Sequence, residues 1–131
     1  MNLNIELTRK LYKFFAVADY KSINELFDTD IVWEQMTGFP GGGTYKGTEQ
    51  IISKVFSSLK NEWSGWKTVV SAMAGDGDFV FVMGHYEGTY NKTGKAMKAD
   101  FIHRYQFRNS KIIHFKQYTD TLLVANARNV S

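Results

Sequence analysis

The chain has no cysteine, one proline and no long apolar run. Without cysteine there can be no disulfide framework, thiolate-ligated zinc or cysteine nucleophile. Its absence fits a reducing compartment. A single proline and the lack of a Gly-X-Y period exclude collagen-like and proline-rich classes. No apolar stretch approaches the roughly 18 residues that a membrane-spanning helix needs. The opening segment, residues 1–15, lacks a basic stretch followed by an apolar core and a small-residue cleavage site, so it reads as folded protein and not as a signal peptide. The expectation is a cytoplasmic protein with no membrane partner.

Neither sign of charge dominates. Sixteen basic and 13 acidic residues give a net charge of +3. The basic residues thicken after Lys92, yet they alternate with Asp100 and with apolar positions. They read as solvated faces, not as the clustered surface that nucleic acid requires. No nucleic-acid partner is expected.

What is present suits one domain over residues 1–131. The 131 residues are 44% hydrophobic and 15% aromatic, enough for a folded core without staples. Leu7, Leu11, Phe14, Phe15 and Ala18 recur at helical spacing and predict an amphipathic helix over 4–18. Ile23, Leu26 and Phe27 predict a short second helix, broken by Asp28-Thr29-Asp30. Residues 31–36 are β-branched and aromatic and predict a strand. Gly38 to Gly43 reads as a loop. It lacks the Gly-Lys-Ser/Thr ending of a phosphate-binding loop. After Gly47 a third helix carries Ile51, Ile52, Val55, Phe56 and Leu59 on one stripe.

From Trp66 the pattern changes to strands and tight turns. Strands are predicted at 66–74, 79–90, 96–107 and 112–119. Turns at 75–78, 91–94 and 108–111 separate them. Residues 121–127 predict a final helical turn. Helices followed by an antiparallel meander make an α+β protein. A curved sheet with helices over its concave side would enclose a pocket.

Strand alternation then sorts the side chains. Ala99, Phe101, His103, Tyr105 and Phe107 share one face. Trp33 shares a face with Gln35, and Phe115 with Gln117. His103 on an apolar face is either a hydrogen-bonded core residue or a proton-transfer group, since imidazole titrates near neutrality. Asp120 has two readings as well. It either enters the pocket beside His103, where it would orient or charge the imidazole, or caps the helix at 121–127. No histidine–carboxylate spacing typical of zinc and no G-x-S-x-G elbow is present. Neither a metal nor another cofactor is expected.

The order of Glu25-Leu26-Phe27, Asp30-Ile31-Val32-Trp33, Gly42-Gly43-Thr44-Tyr45-Lys46-Gly47, Lys111-Ile112-Ile113 and Gln117-Tyr118-Thr119-Asp120-Thr121 resembles the SnoaL-like, ketosteroid-isomerase-related branch of the nuclear transport factor 2-like superfamily. The resemblance covers nearly the whole chain. It implies a cone-shaped, cystatin-like α+β barrel in which three helices from the first half pack on a bent antiparallel sheet. It also implies a deep apolar pocket and a homodimer through the outer sheet face. Phe79, Phe81, Met83 and His85 would lie on that face if Gly84 and Tyr86 point inward.

Position by position, the family's catalysts are replaced. The carboxylate base of ketosteroid isomerases falls at Gln35, and their oxyanion-stabilising acid falls at His103. Their first-helix tyrosine falls near Leu11, with Tyr12 one residue off that azimuth. The catalytic aspartate of limonene-epoxide hydrolases falls at Gln117, as does the acid/base of SnoaL-type cyclases. The hydrolases' arginine and second aspartate fall at Gly84 and Tyr86. What remains is a pocket for a small apolar ligand, lined by Trp33, Gln35, Tyr86, Phe101, Tyr105, Phe115 and Gln117, with His103 and Asp120 as the proton-transfer pair. The expected activity is isomerase-, cyclase- or hydratase-like, on an apolar carbonyl-bearing metabolite. The alternative is a non-catalytic module for ligand binding or protein association.

Overall fold

A computed structural model describes residues 2–129. Helix α1 (Leu3–Ala16) begins at Asn2, whose side chain accepts the Ile5 N–H, and buries Thr8 and Leu11. Its apolar stripe faces the sheet, as the 3.6-residue period demands. Helix α2 (Tyr20–Leu26) is capped by Asp19, which accepts from the Ser22 amide and hydroxyl. Ala18, between the two helices, sits at φ 53°, a left-handed conformation that costs an L-residue energy.

Six strands form one curved sheet: β1 (Phe27–Gln35), β2 (Gly43–Lys46), β3 (Trp63–Asp76), β4 (Phe79–Tyr90), β5 (Ala96–Arg108) and β6 (Lys111–Thr119). Their order is β2-β1-β6-β5-β4-β3, so β2 and β3 are free edges and the sheet stays open. The α+β fold expected from the sequence is therefore present. One pair departs from the expected antiparallel sheet: β1 runs parallel to β6. A strand that precedes the meander joins it by a long connection, and such a connection permits parallel pairing.

Bulges bend the strands inward. The β3–β4 register slips between Ser64 and Lys67 and again between Val70 and Ala72. Near the second slip, Gly84 has no substitute. A Cβ there would lie 2.0 Å from the Val69 carbonyl oxygen and 2.8 Å from Phe101 Cζ.

The third predicted helix is a composite. Helix α3 (Thr48–Ile51) passes into a π-helical turn (Ile52–Phe56) and then helix α4 (Ser57–Glu62). The Ser57 N–H reaches back to the Ile52 carbonyl, the i→i+5 bond that widens a helix. Val55, Phe56 and Leu59 lie on the concave side of the sheet, where they line its cavity. Helix α5 (Thr121–Arg128) buries Val124 and Ala127 and packs along β5 and β4.

The other differences from the predicted elements are local. The second helix ends at Leu26, just before the expected breaker Asp28-Thr29-Asp30, and that segment belongs to β1, which starts at Phe27. The short edge strand β2, paired to β1 from Val32↔Lys46 to Gln35↔Gly43, occupies residues with no alternation to announce it. No described helix is long and apolar enough to cross a membrane.

Candidate functional site

The concave face of the sheet and the helices over it enclose a cavity of about 740 Å3. That volume is in the range of small-molecule sites. Trp33 stacks on Phe115 with ring centroids 3.6 Å apart, and Phe15 and Phe56 meet Trp33 edge-on. This aromatic wall is apolar contact area. The side chains lining the cavity include Lys60 and Lys67 but no aspartate or glutamate.

Polar groups gather at the inner end. His103 is 4% exposed, paired across the sheet with Val82 on one side and Gln117 on the other. Its ring stacks on Phe101 at 3.9 Å. Tyr12 Oη lies 2.5 Å from His103 Nδ1, and Tyr86 Oη lies 2.5 Å from Nε2. Tyr12 Oη is also 2.8 Å from Tyr105 Oη. Burial holds the imidazole down to about 3, so it is neutral at physiological pH. Burial also raises all three phenols: Tyr86, Tyr105 and Tyr12, the last pushed up further by its tyrosine neighbours. The cluster is therefore uncharged, with every phenol protonated.

Two amides brace it, and their orientations follow from their partners. The Trp33 indole N–H can only donate, so the Gln35 oxygen must face it, at 2.9 Å. The Met36 amide likewise donates to Gln117 Oε1 at 3.1 Å, which turns Gln117 Nε2 toward Tyr86 Oη at 2.8 Å. The Gln35 amide nitrogen finds no acceptor among the described residues, and Gln35 lines the cavity.

A proton count decides what this cluster offers. Three phenols and a neutral imidazole carry four protons, and three contacts join them. One O–H is always left over. Either hydroxyl can donate in the Tyr12–Tyr105 contact; with Tyr105 as donor its fully buried hydroxyl is paired, which avoids the cost of leaving it unsatisfied. Both imidazole nitrogens are engaged, so the surplus O–H belongs to Tyr12 or to Tyr86, and both line the cavity. Which one holds it depends on which nitrogen of His103 bears the proton.

The structure thus brings together Trp33, Gln35, Tyr86, His103, Tyr105, Phe115 and Gln117. Phe101 stands behind, packed on the His103 ring. Asp120 takes the capping role: its carboxylate accepts the Leu123 N–H at the start of α5, and it is exposed. The carboxylate beside His103 is absent because strand β6 ends at Thr119 without a bulge that would turn Asp120 inward. Glu34 lies on the opposite face of β1 from Gln35, facing His114 at 3.5 Å and Lys116 at 3.9 Å. Tyr12 is the residue that sequence reasoning set aside. Leu11 occupies the centre of the buried stripe, but the longer Tyr12 side chain reaches the sheet from the next azimuth. Its neighbour Phe15, one turn on, was the available signal. Among the described residues no three His, Cys, Asp or Glu side chains cluster as metal ligands.

Comparison with known proteins follows this geometry closely in fold. Residues 8–115 match the family described as SnoaL-like domain. A nuclear transport factor 2-like protein from Burkholderia thailandensis E264 is 35% identical, with a TM-score of 0.93 over 98% of this chain and 99% of that one. A second such protein, of unknown function, from Burkholderia pseudomallei K96243 is 20% identical, with a TM-score of 0.88 over 97% and 98%. A candidate SnoaL-like polyketide cyclase from Shewanella denitrificans OS-217 is 15% identical, with a TM-score of 0.80 over 98% of each chain. No curated protein sequence matches the chain.

Proposed function

This chain belongs to the SnoaL-like domain family, a fold that does not specify a reaction, and from that premise we propose that it binds a small, largely apolar, carbonyl-bearing molecule in its cavity. The surplus phenolic O–H carries this reading. A neutral cluster with one donor too many is completed by an acceptor, and a carbonyl oxygen is the acceptor an apolar molecule most readily supplies. The Gln35 amide offers a second donor, and the stacked Trp33 and Phe115 offer contact area. The site suits charge developing on that oxygen: donors are already in place, and no carboxylate lines the cavity to repel it.

His103 is the hinge of this arrangement. As a neutral ring it relays hydrogen bonding between the phenols and sets which one faces the ligand. Gln35 and Gln117, where related enzymes carry acids, act as positioning and donor groups. Asp120 has a structural role in this scheme.

The test is a binding comparison of 1-tetralone with tetralin, the same skeleton without the oxygen. One hydrogen bond is worth about 1 kcal/mol, so 1-tetralone binds about fivefold more tightly by calorimetry. It also raises the melting temperature, since a ligand bound only to the native state adds stability. Equal affinity for the two compounds refutes the reading.

Two copies of the chain are proposed to meet through the outer sheet face. Phe79, Phe81 and Met83 on β4 lie half-buried there, beside Ile102 and Tyr118, which are 44% and 37% exposed. Apolar side chains gathered on one outer face, interspersed with Arg104 and Lys116, suit an association surface. Sedimentation equilibrium at micromolar concentration gives a mass of twice the chain; a monomer mass overturns this.

A further inference from the structure

The two short contacts on opposite sides of one imidazole have a use beyond holding a ligand. Tyr12 and Tyr86 both line the cavity, and they are joined through His103 by 2.5 Å contacts at Nδ1 and Nε2. The line Tyr12–His103–Tyr86 has two neutral forms. In one, Tyr12 donates to Nδ1, Nε2–H donates to Tyr86, and the spare proton is on Tyr86. In the other, Tyr86 donates to Nε2, Nδ1–H donates to Tyr12, and the spare proton is on Tyr12. The two forms differ by one proton shifted along each link. Neither contains a charge, which burial of His103 and Tyr86 would penalise.

Resting on the binding mode proposed above, we infer that this line is a proton wire that interconverts the keto and enol forms of a bound 1,3-dicarbonyl compound. The C–H bond between the two carbonyls breaks, and its proton passes to the Tyr12 oxygen. The Tyr12 phenolic proton moves to His103 Nδ1. The Nε2 proton moves to the Tyr86 oxygen, and the original Tyr86 proton passes to a carbonyl oxygen of the ligand. The C–H electron pair becomes the C=C bond, and the carbonyl π pair takes the new O–H. Nothing is oxidised or reduced, and the wire ends in its second form. A water entering the emptied cavity takes the proton from Tyr12 and gives one to Tyr86, which restores the first form. The reverse conversion uses the same steps backward.

The substrate class follows from acid strength. Proton transfer is efficient when donor and acceptor are matched. No carboxylate lines the cavity and no phenol is ionised, so the base is the neutral imidazole acting through the Tyr12 hydroxyl, which is weak. Such a base needs a comparatively acidic C–H; a carbon flanked by two carbonyls is one, and a carbon beside a single ketone is far weaker. Tyr105 keeps Tyr12 in place through their 2.8 Å hydroxyl contact. Gln117 Nε2–H stabilises the Tyr86 oxygen as its proton leaves. The Gln35 amide is placed for the second carbonyl oxygen.

The probe is 2-acetyl-1-tetralone, an aromatic 1,3-diketone. Its binding is read by saturation-transfer NMR, and its keto–enol relaxation by the enol absorbance after transfer from an apolar solvent into buffer. The wild-type protein binds it and speeds relaxation in proportion to protein concentration. In deuterium oxide it places deuterium on the carbon between the carbonyls. Tyr12→Phe and Tyr86→Phe each retain binding within about tenfold, as the loss of one hydrogen bond allows, and each lose at least tenfold of the acceleration, because a wire fails at either end. Circular dichroism checks that each variant is folded; if one is not, the other decides. Binding without acceleration by the wild type overturns the wire and leaves the binding proposal intact. Retained acceleration in a folded Phe variant also overturns it. Absence of binding overturns both.

Discussion

Acidification is the most direct probe of the buried imidazole. Burial holds His103 near 3, against an ordinary value of 6.5. The groups that face it are the phenols of Tyr12, Tyr86 and Tyr105, and none is acidic in the relevant range. In the unfolded chain the imidazole takes up a proton below about pH 6.5; in the folded protein it resists until near pH 3. The unfolded state therefore binds more protons across that window. The contribution is complete well above pH 6.5 and falls with a slope that approaches about 1.4 kcal/mol per pH unit below it. Between pH 6.5 and 4.5 this single group removes about 2 kcal/mol, a large part of the 5–15 kcal/mol that domains of this size possess. The lowered carboxyls of Glu87, set mainly by the His85 hydrogen bond, and Asp19, set by Ser22, add acid sensitivity only as the pH falls from the ordinary carboxylate values toward their lowered ones. Urea unfolding at pH 6.5, 5.5 and 4.5 measures the slope, with His103→Gln as the reference that cannot titrate. The wild type loses about 2 kcal/mol more than the variant over this range. Parallel slopes for the two proteins would mean that His103 is not held neutral by burial, and the uncharged cluster would fall with it.

Other expectations follow from single contacts. Gly84→Ala drives a methyl group against the Val69 carbonyl and Phe101, so it costs about 3 kcal/mol in urea unfolding. A change below 0.5 kcal/mol would show that the β3–β4 pairing yields freely there. Asp120→Ala removes the cap of α5 and costs about 1 kcal/mol, while calorimetric affinity for 1-tetralone stays the same. A large loss of affinity would return Asp120 to the pocket. Ala18→Gly relieves the left-handed backbone between α1 and α2 and raises stability by about 1 kcal/mol in the same unfolding assay.

The parts of this fold that are legible in the sequence are those set by neighbours along the chain. Strands β3 to β6 alternate, and Gly77, Gly94 and the Asn109–Ser110 pair supply the positive φ values at their turns. Strand parity also groups Gln35 with Trp33, His103 with Phe101 and Tyr105, and Gln117 with Phe115, but it does not say which face is inward; the structure turns these faces and Tyr86 toward the cavity. What escaped depends on distant partners. Strand β2 exists because β1 offers it a free edge. The parallel β1–β6 pair joins residues some eighty positions apart, such as Trp33 and Phe115. The π-helical turn leaves the apolar stripe of residues 51–59 nearly unchanged, so periodicity alone does not reveal it. Tyr12 was missed because a helical wheel places a Cβ and not the end of a long side chain. The proton count that gives the site its character needs three-dimensional contacts between α1, β4, β5 and β6.

The position of β6 in the sheet also bears on how the chain acquires its structure. Strands β3 through β6 can assemble as successive hairpins, each closing a short loop. Strand β1, made early, has no partner in the sheet's centre until β6 has been synthesised, since β6 is the strand that bridges it to β5. Contacts of such long sequence separation form slowly. A nascent chain halted near Arg108 would hold α1, α2 and β1 with the Trp33 face uncovered. Such exposed apolar surface is where a growing polypeptide engages a chaperone or aggregates. The last strand to emerge from the ribosome is the one that seals the core, and ribosome-stalling positions before and after residues 111–119 would mark the boundary between a protease-sensitive chain and a resistant one.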